Sequence, residues 1–175
     1  MIKVDDQIYL DVIDRSSVVK IYEWKNDLEL SSLTNASPIP VTLQEVETWI
    51  EKTNSDKNQL VMGIFYFEKE LIGIVRLMYI DWINRSTELG IYIAQKNFRG
   101  RGIGKKVTKS ILNYAFSYLN LNKVYLKVAE NNLPAYKCYE SVGFIKCGVL
   151  KNHFWIHNNY VNAVIMEIFR TEFTN

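Results

Sequence analysis

A glycine-rich, basic segment in the second half of this 175-residue chain has the residue types and the spacing to bind an anion. Gly100, Gly102 and Gly104 alternate there with larger residues, between a predicted strand and a predicted helix. Glycine lets a ligand approach the backbone, and the first N–H groups of a helix have no partner inside the helix. These groups and the helix dipole attract negative charge. The segment therefore predicts a pyrophosphate site.

Two common phosphate-binding motifs do not fit this segment. A Walker loop requires Ser or Thr after Gly-Lys, whereas Lys106 follows here and Arg99 stands where the earlier glycine would be. The dinucleotide fingerprint requires G-x-G-x-x-G and an acidic residue at a strand end about twenty residues later. Here the glycines alternate strictly, and Lys123 and Lys127 stand at the later position.

A second pattern lies further along the chain, at the end of a predicted strand and on the helix after it. It reads Val128-x-x-x-Asn132-x-x-Ala135-x-x-x-Tyr139-x-x-x-Gly143-Phe144. Because Asn132 and Tyr139 are two helical turns apart, both side chains can face the same groove.

Together, Arg99-x-x-Gly102-x-Gly104 and the Asn132/Tyr139 pattern resemble the two signatures of GNAT acetyltransferases, and the resemblance extends from Leu71 to Phe169. It implies an N-acetyltransferase that passes the acetyl group of acetyl-CoA to an amine through a tetrahedral intermediate. It also implies that acetyl-CoA is the only cofactor and that no metal is needed. The alternative is a non-catalytic CoA-binding or regulatory module.

The resemblance assigns a role to each matching residue. In the family, backbone groups of the strand before the glycine turn pair with pantetheine, and one N–H lies near the thioester oxygen. A tyrosine with an ordinary pKa of roughly 10 can donate a proton to the departing thiolate, whose thiol has a pKa of roughly 8.5. Tyr139 is therefore the predicted general acid. The predicted cofactor-binding residues are Ile91, Tyr92, Ile93, Arg99, Gly100, Arg101, Gly102, Ile103, Gly104, Lys105, Asn132 and Tyr139.

The acceptor amine must lose a proton before it attacks. An alkyl ammonium has a pKa of about 10.4, so reaching the free amine at pH 7 costs about 4 to 5 kcal/mol. Glu88 resembles an acidic residue that many relatives have at this place, and it is the predicted base, directly or through water; a solvated strand-end carboxylate is an equal alternative. Less favoured candidates are Glu23 and Asp27 as partners of a cationic acceptor, and His153 and His157 as bases.

The acceptor itself is left open by the sequence. The helical segments near Trp24 and Trp49, and the aromatic segment near Trp155, are similar to RimJ/RimL-like ribosomal-protein acetyltransferases and to spermidine acetyltransferases. The spermidine enzymes have an acidic, aromatic turn between the first two helices, whereas this chain has Asn35-Ala36-Ser37-Pro38-Ile39-Pro40, without a carboxylate. A protein N-terminus, a polyamine and an amino sugar all remain candidates.

The elements that must position these residues follow from hydrophobic periodicity. Residues 15 to 30 and 42 to 53 are predicted as helices, the second with a Thr42/Glu45 capping box. The remaining prediction is strands at 60–67, 71–80, 87–93, 123–128, 144–150 and 160–169, with helices at 102–118 and 133–141. The class is α/β (α+β), with helices on both faces of a mixed sheet. The GNAT resemblance implies about seven twisted, mostly antiparallel strands and a splayed parallel pair that holds the cofactor.

Composition limits the remaining possibilities. At this length we expect one domain, residues 1–175. A net charge of +2 and the lack of a long apolar run predict neither a nucleic-acid partner nor a membrane partner, and favour a cytoplasmic protein. Cys138 and Cys147 are predicted to be reduced, and the aromatic residues around Trp155 suggest a homodimer contact.

Overall fold

The computed structural model describes residues 1–67 and 69–174, which form one eight-stranded sheet with five α-helices. The strands are β1 (Ile2–Lys3), β2 (Ile8–Val12), β3 (Leu60–Tyr66), β4 (Glu70–Asp81), β5 (Ser86–Ile93), β6 (Lys123–Ala129), β7 (Ile145–Ile156) and β8 (Asn159–Phe169). The helices are α1 (Val18–Lys25), α2 (Leu28–Thr34), α3 (Leu43–Ser55), α4 (Ile103–Ser117) and α5 (Leu133–Glu140).

The strand order is β1-β2-β3-β4-β5-β6-β8-β7, and every neighbouring pair is antiparallel except β5 with β6. The predicted mixed, mostly antiparallel sheet with one parallel pair is thus confirmed. A parallel pair needs a long crossover, and here the crossover contains the glycine turn and α4. The topology therefore brings the start of α4 to the end of β5.

Each face of the sheet has its own core, as predicted from helices on both sides. The larger core contains Val107, Ile111 and Leu112 of α4, packed against apolar residues of the central strands. The smaller core contains Ile21 of α1 and Ile50 of α3. Because side chains alternate along a strand, each central strand contributes to both cores and separates them.

The first predicted helix, residues 15 to 30, is wrong in one respect: it is interrupted at Asn26 and Asp27. The Asp27 side chain accepts hydrogen bonds from the backbone N–H groups of Glu29 and Leu30, which makes it the N-cap of a separate helix, α2. Asp is a strong N-cap because its carboxylate satisfies amides that have no partner at a helix start. The Thr42/Glu45 capping box at α3 is confirmed.

The strands also differ from the prediction at two places. The structure adds β1 and β2 at the N-terminus, which brings the total to eight rather than about seven. The last hairpin is longer than expected, since β7 continues to Ile156 instead of ending at residue 150. The turn predicted at residues 68 to 70 includes Glu68, which lies outside the described residues. Within residues 1–67 and 69–174, no helix is long and apolar enough to cross a membrane.

Candidate active site

A cleft opens where β5 and β6 separate. Their parallel pairing runs from Ser86 to Glu88, and the structure gives no further pairs between them in its described residues. Ile91, Tyr92 and Ile93 continue to pair with β4 on one side only. On the other side no strand pairs with this segment: Ile93 O accepts a hydrogen bond from Arg99, and the remaining outward groups can pair with an extended ligand. The predicted splayed parallel pair is therefore present.

The glycine turn forms the floor at one end of this cleft. Gly100 and Gly102 have positive φ angles of 73° and 74°, and no atom lies within 4 Å of where a Cβ would be. Gly102 is the N-cap of α4, with no side-chain cap. The first cap bond to the helix runs from Lys106 N–H to Gly102 O. In the described part of the chain, the N–H groups of residues 103 to 105 have no hydrogen-bond acceptor, so they are available to an anion.

The basic side chains around the turn divide between two tasks. The Arg99 guanidinium donates hydrogen bonds to Ile93 O at 2.8 Å and to Ala94 O at 2.7 Å, which tie the end of β5 to the turn. Lys106 pairs with Asp5 at 2.7 Å. Arg101 and Lys105 are exposed beside the helix start. Arg99 thus positions the turn, while Arg101 and Lys105 are placed to add positive charge.

Helix α5 lies beside the start of α4. A Cβ built on Gly104 would lie 3.8 Å from the Cys138 sulfur, one residue before Tyr139. Tyr139 is buried, with an edge contact to Phe144 at 5.8 Å between ring centroids. Its hydroxyl has no hydrogen-bond partner among the described residues. The Asn132 side chain caps α5 by accepting from Ala135 N at 3.2 Å. Tyr139 thus belongs to the core on the α4 side of the sheet, and Asn132 begins the helix that carries it.

Comparison with known proteins agrees with this geometry. Residues 8–145 match the family model of the acetyltransferase (GNAT) domain. The chain belongs to the GNAT acetyltransferase family. It is an N-acetyltransferase that moves the acetyl group of acetyl-CoA to a primary amine.

Individual relatives in this family resemble the chain over most of its length. The spermidine N(1)-acetyltransferase of Vibrio cholerae is 30% identical over 172 residues, which covers 98% of each chain. The structure of the V. cholerae enzyme with CoA and spermine has a TM-score of 0.90, at 30% identity and with 98% and 100% of the two chains covered. A putative ribosomal N-acetyltransferase, YdaF of Bacillus subtilis, is 29% identical over 118 residues, 67% of this chain and 63% of YdaF.

A dodecameric structure of the V. cholerae spermidine N-acetyltransferase is also similar, with a TM-score of 0.82 at 29% identity, covering 95% of this chain and 96% of that one.

The predicted base of this GNAT enzyme, Glu88, is held in an ion pair. Its carboxylate lies 2.9 Å from the ammonium group of Lys127 on β6. Glu88 is buried on the strand that leads to the cleft. By strand alternation, Glu88 and Tyr92 point to the face covered by α1 to α3, whereas Ile91 and Ile93 pack against the α4 core. The Glu88 carboxylate therefore lies on the face of the sheet opposite α4.

On that face the enzyme has a cavity of about 240 Å³ between α1 to α3 and strands β4 and β5. Its walls include three aromatic rings and two cations, namely Trp24, Trp49, Tyr92, Lys25 and Arg76. Trp24 meets Tyr92 edge to face at 6.3 Å, and burial raises the pKa of Tyr92 to about 12. The phenol of Tyr92 is therefore neutral at physiological pH. Because Tyr92 belongs to β5, this cavity and the β5/β6 cleft share one strand.

Sequence reasoning missed the two cations of this cavity. Arg76 interrupts the apolar run of β4 between buried Val75 and Leu77. A lone arginine in a buried strand signals a functional position, because an ion is costly to bury without a role or a partner. Lys25 carried no comparable signal, because a lysine at the end of a helix is usually solvated.

The remaining candidates lie elsewhere. Asp27 is occupied as the cap of α2, and Glu23 is exposed on α1. His153 packs edge-on against Phe154, and Nε2 of His157, at the tip of the β7–β8 hairpin, is 3.4 Å from the Ser32 hydroxyl on α2. In the described residues no group of three His, Cys, Asp or Glu side chains is arranged to hold a metal ion.

Proposed function

We propose that the chain, acting as a single catalytic domain over residues 1–175, acetylates a primary amine that enters the 240 Å³ cavity while acetyl-CoA occupies the β5/β6 cleft. The amine nitrogen attacks the thioester carbonyl carbon, and a C–N bond forms. Collapse of the tetrahedral intermediate breaks the C–S bond. The nitrogen loses a proton, and the departing thiolate gains one. The products are an acetamide and CoA.

The observation that carries this proposal is the start of α4. Three consecutive N–H groups without a protein acceptor, preceded by two glycines that leave open space, can hold the diphosphate of CoA. The pantetheine arm would then run along the unpaired edge of Ile91 to Ile93. A backbone N–H of that edge would also face the developing oxyanion. One cleft thus serves both cofactor binding and catalysis.

Tyr139 is the proposed general acid. Burial, with a smaller contribution from Cys138, raises the pKa of Tyr139 above the ordinary value of about 10. The phenol therefore keeps its proton throughout the physiological range. A hydroxyl without a partner in the described chain is free to donate to the sulfur atom as negative charge develops there.

Glu88 is the proposed acceptor of the amine proton. It is buried on β5, on the same face of the sheet as Tyr92, and lies 2.9 Å from the Lys127 ammonium group. A water chain from the cavity along this face would connect the amine with Glu88, because Glu88 and Tyr92 are four residues apart on one strand.

The names of relatives supply the first acceptor class to test. The V. cholerae relative is named as a spermidine acetyltransferase, and one of its structures contains spermine. Similarity therefore makes polyamines the leading candidates. A ribosomal-protein N-terminus follows from the name of YdaF, and amino sugars complete the set.

The experiment is an acceptor screen with thiol release from acetyl-CoA as the readout. It contains spermidine, an N-terminal peptide of a ribosomal protein and simple amino sugars, and mass spectrometry identifies each acetylated product. We expect CoA release that depends on an added amine. Tight binding of CoA together with no product from any amine would refute catalysis and favour the non-catalytic CoA-binding module.

Assembly is a separate part of the proposal. Val149, Leu150, Trp155 and Tyr160 on the last hairpin are exposed apolar or aromatic residues on or beside an edge strand, which is the kind of surface that a subunit contact covers. The proposed arrangement is a homodimer through this hairpin, on its own or within a larger assembly. The dodecameric V. cholerae structure makes the larger assembly a specific alternative to measure.

A further inference from the structure

The lining of the acceptor cavity includes two cations, Lys25 and Arg76. Lys25 extends from α1 over the Trp49 ring, 4.5 Å from its centroid, and is half-buried. Arg76 projects from β4, and its Nε is fully buried without a hydrogen-bond partner. Neither side chain forms an ion pair with any described residue. A buried guanidinium nitrogen without an acceptor is costly, unless a ligand supplies one.

The two cations act on the same space. They come from opposite walls, α1 and β4, and both line the cavity beside Tyr92. Burial lowers the pKa of Lys25, and the positive charge of Arg76 lowers it further. Arg76 also acts electrostatically on Tyr92, the residue next to the predicted thioester. Two positive charges therefore face the same cavity, and the charge of Arg76 acts on both Lys25 and Tyr92.

Four carboxylates on this side of the sheet already have hydrogen-bond or ion-pair partners. Glu45 is the one acidic residue of the cavity lining, exposed at the rim, and its Oε2 accepts hydrogen bonds from the Thr42 N–H and hydroxyl in the capping box. Asp27 caps α2, and Glu29 pairs with Lys96 at 2.7 Å. Glu88 pairs with Lys127. Among the described residues that line the cavity, Glu45 at the rim is therefore the single carboxylate, against the two cations Lys25 and Arg76.

We infer that the cavity selects a small primary amine that also carries an anionic group, a carboxylate or a phosphate, and discriminates against polycations. The inference rests on the proposed function. The amine would lie toward Tyr92 and the thioester, while the anionic group would contact Arg76 and Lys25. Arg can bind either anion through two parallel hydrogen bonds, and the rings of Trp24 and Trp49 provide flat apolar walls for the part between them.

At the position of Arg76 and Lys25, a polyamine would place a second ammonium group, whereas an anionic amine would place its negative group. Bringing like charges together in an enclosed site costs several kcal/mol, so the cavity disfavours the polyamine. The volume also limits the acceptor to a small molecule, since about 240 Å³ is below the usual range for drug-sized ligands.

The test uses matched acceptors that differ only in the anionic group. For a carboxylate, 6-aminohexanoate is compared with hexylamine and 1,6-diaminohexane; for a phosphate, glucosamine 6-phosphate is compared with glucosamine; spermidine is included. We expect kcat/KM of the anionic member to exceed that of its neutral or cationic partner by about tenfold or more in at least one of the two series. The series with the larger ratio identifies the anion.

Variants attribute the preference to the cavity. Arg76→Gln and, separately, Lys25→Gln should each reduce the anionic-to-neutral ratio by about tenfold while CoA affinity stays unchanged. Lys20→Gln on α1, which removes a positive charge outside the cavity lining, is the matched control and should keep the ratio. The melting temperature and CoA titration of each variant establish that it is folded. If Arg76→Gln does not fold, Lys25→Gln alone tests the inference.

Three results overturn the inference. The first is a kcat/KM for spermidine that exceeds that of every anionic amine. Another is a ratio near one in both series for the wild-type enzyme. The third is an unchanged ratio in folded Arg76→Gln and Lys25→Gln variants. Absence of thiol release with every amine, despite CoA binding, instead refutes the proposed function.

Discussion

Replacement of Gly102 by Glu tests the diphosphate site at the start of α4 directly. Gly102 has φ of 74°, and no atom lies within 4 Å of a Cβ placed there, so the new side chain has room. A non-glycine residue in this left-handed conformation costs about 1 to 2 kcal/mol, which a domain with a stability of about 5 to 15 kcal/mol tolerates. The variant is therefore expected to fold.

The added carboxylate would face the diphosphate. One pair of like charges about 4 Å apart costs about 1 kcal/mol at the dielectric constant of water and about 4 kcal/mol in typical surface sites of proteins. This corresponds to a Kd for CoA that is about 5-fold to several hundred-fold higher. Gly102→Gln is the matched control, because it has the same backbone strain and nearly the same volume without the charge.

Isothermal titration calorimetry with CoA, at low and at high salt, measures the effect. We expect Gly102→Glu to bind CoA more weakly than Gly102→Gln, and the gap to narrow near 1 M salt, where the screening length falls to about 3 Å. Equal affinities of Glu and Gln variants, or wild-type affinity of Gly102→Glu, would show that the diphosphate does not bind at these amides.

Four further outcomes follow from the structure. Tyr139→Phe should lower kcat about 10²-fold with little change in acetyl-CoA affinity, and a wild-type rate in this variant contradicts the acid role of Tyr139. In the wild-type enzyme, the rate should show no loss from phenol ionisation up to about pH 9.5, because the raised pKa keeps Tyr139 protonated there. Glu88→Gln should lower kcat/KM mostly near pH 7, with recovery as pH approaches the pKa of the amine, and an equal loss at every pH would indicate a structural role. Gly73→Ala should destabilise the fold by about 1 to 3 kcal/mol in urea unfolding, because its Cβ would lie 2.3 Å from a main-chain oxygen of β5, whereas Gly148→Ala, with 3.6 Å of space, is the mild control. Trp155→Asp should shift the mass measured by light scattering toward the monomer, and an unchanged mass would place the subunit contact elsewhere.

The cofactor half of the site was predictable because backbone geometry determines it. Gly100 and Gly102 adopt left-handed conformations that favour glycine, so their positions in the sequence specify where the turn must be. The order strand, turn, helix, strand, helix then places Tyr139 near that turn. Periodicity found the central strands and α4 for the same reason, since each has a continuous apolar face.

The acceptor half was not predictable to the same degree, because it depends on side chains from elements distant in sequence. Asp27 was interpreted as a candidate partner of the substrate, although the structure uses it as a helix cap; a single carboxylate in a helical stretch suits both tasks. Strand β2 was missed because it has only five residues and ends in an exposed valine, Val12. Arg76 and Lys25 line the same cavity only after α1 packs on β4, and no local sequence pattern predicts that arrangement.

Strand β5 explains how one scaffold can keep its cofactor and change its acceptor. Ile91 and Ile93 point to the α4 side, while Tyr92 points to the cavity, so under the proposed function alternate residues of one strand would serve two substrates. The edge that would hold pantetheine uses main-chain atoms, which substitution hardly alters. The cavity uses side chains such as Arg76, and replacing this one cation by an acid cancels the positive charge of the other, Lys25. Similarity over 98% of the chain to a spermidine enzyme therefore establishes the acetyl donor more firmly than the acceptor amine. Arg76→Glu tests this at a single position: it should lower activity on an anionic amine and raise activity on spermidine.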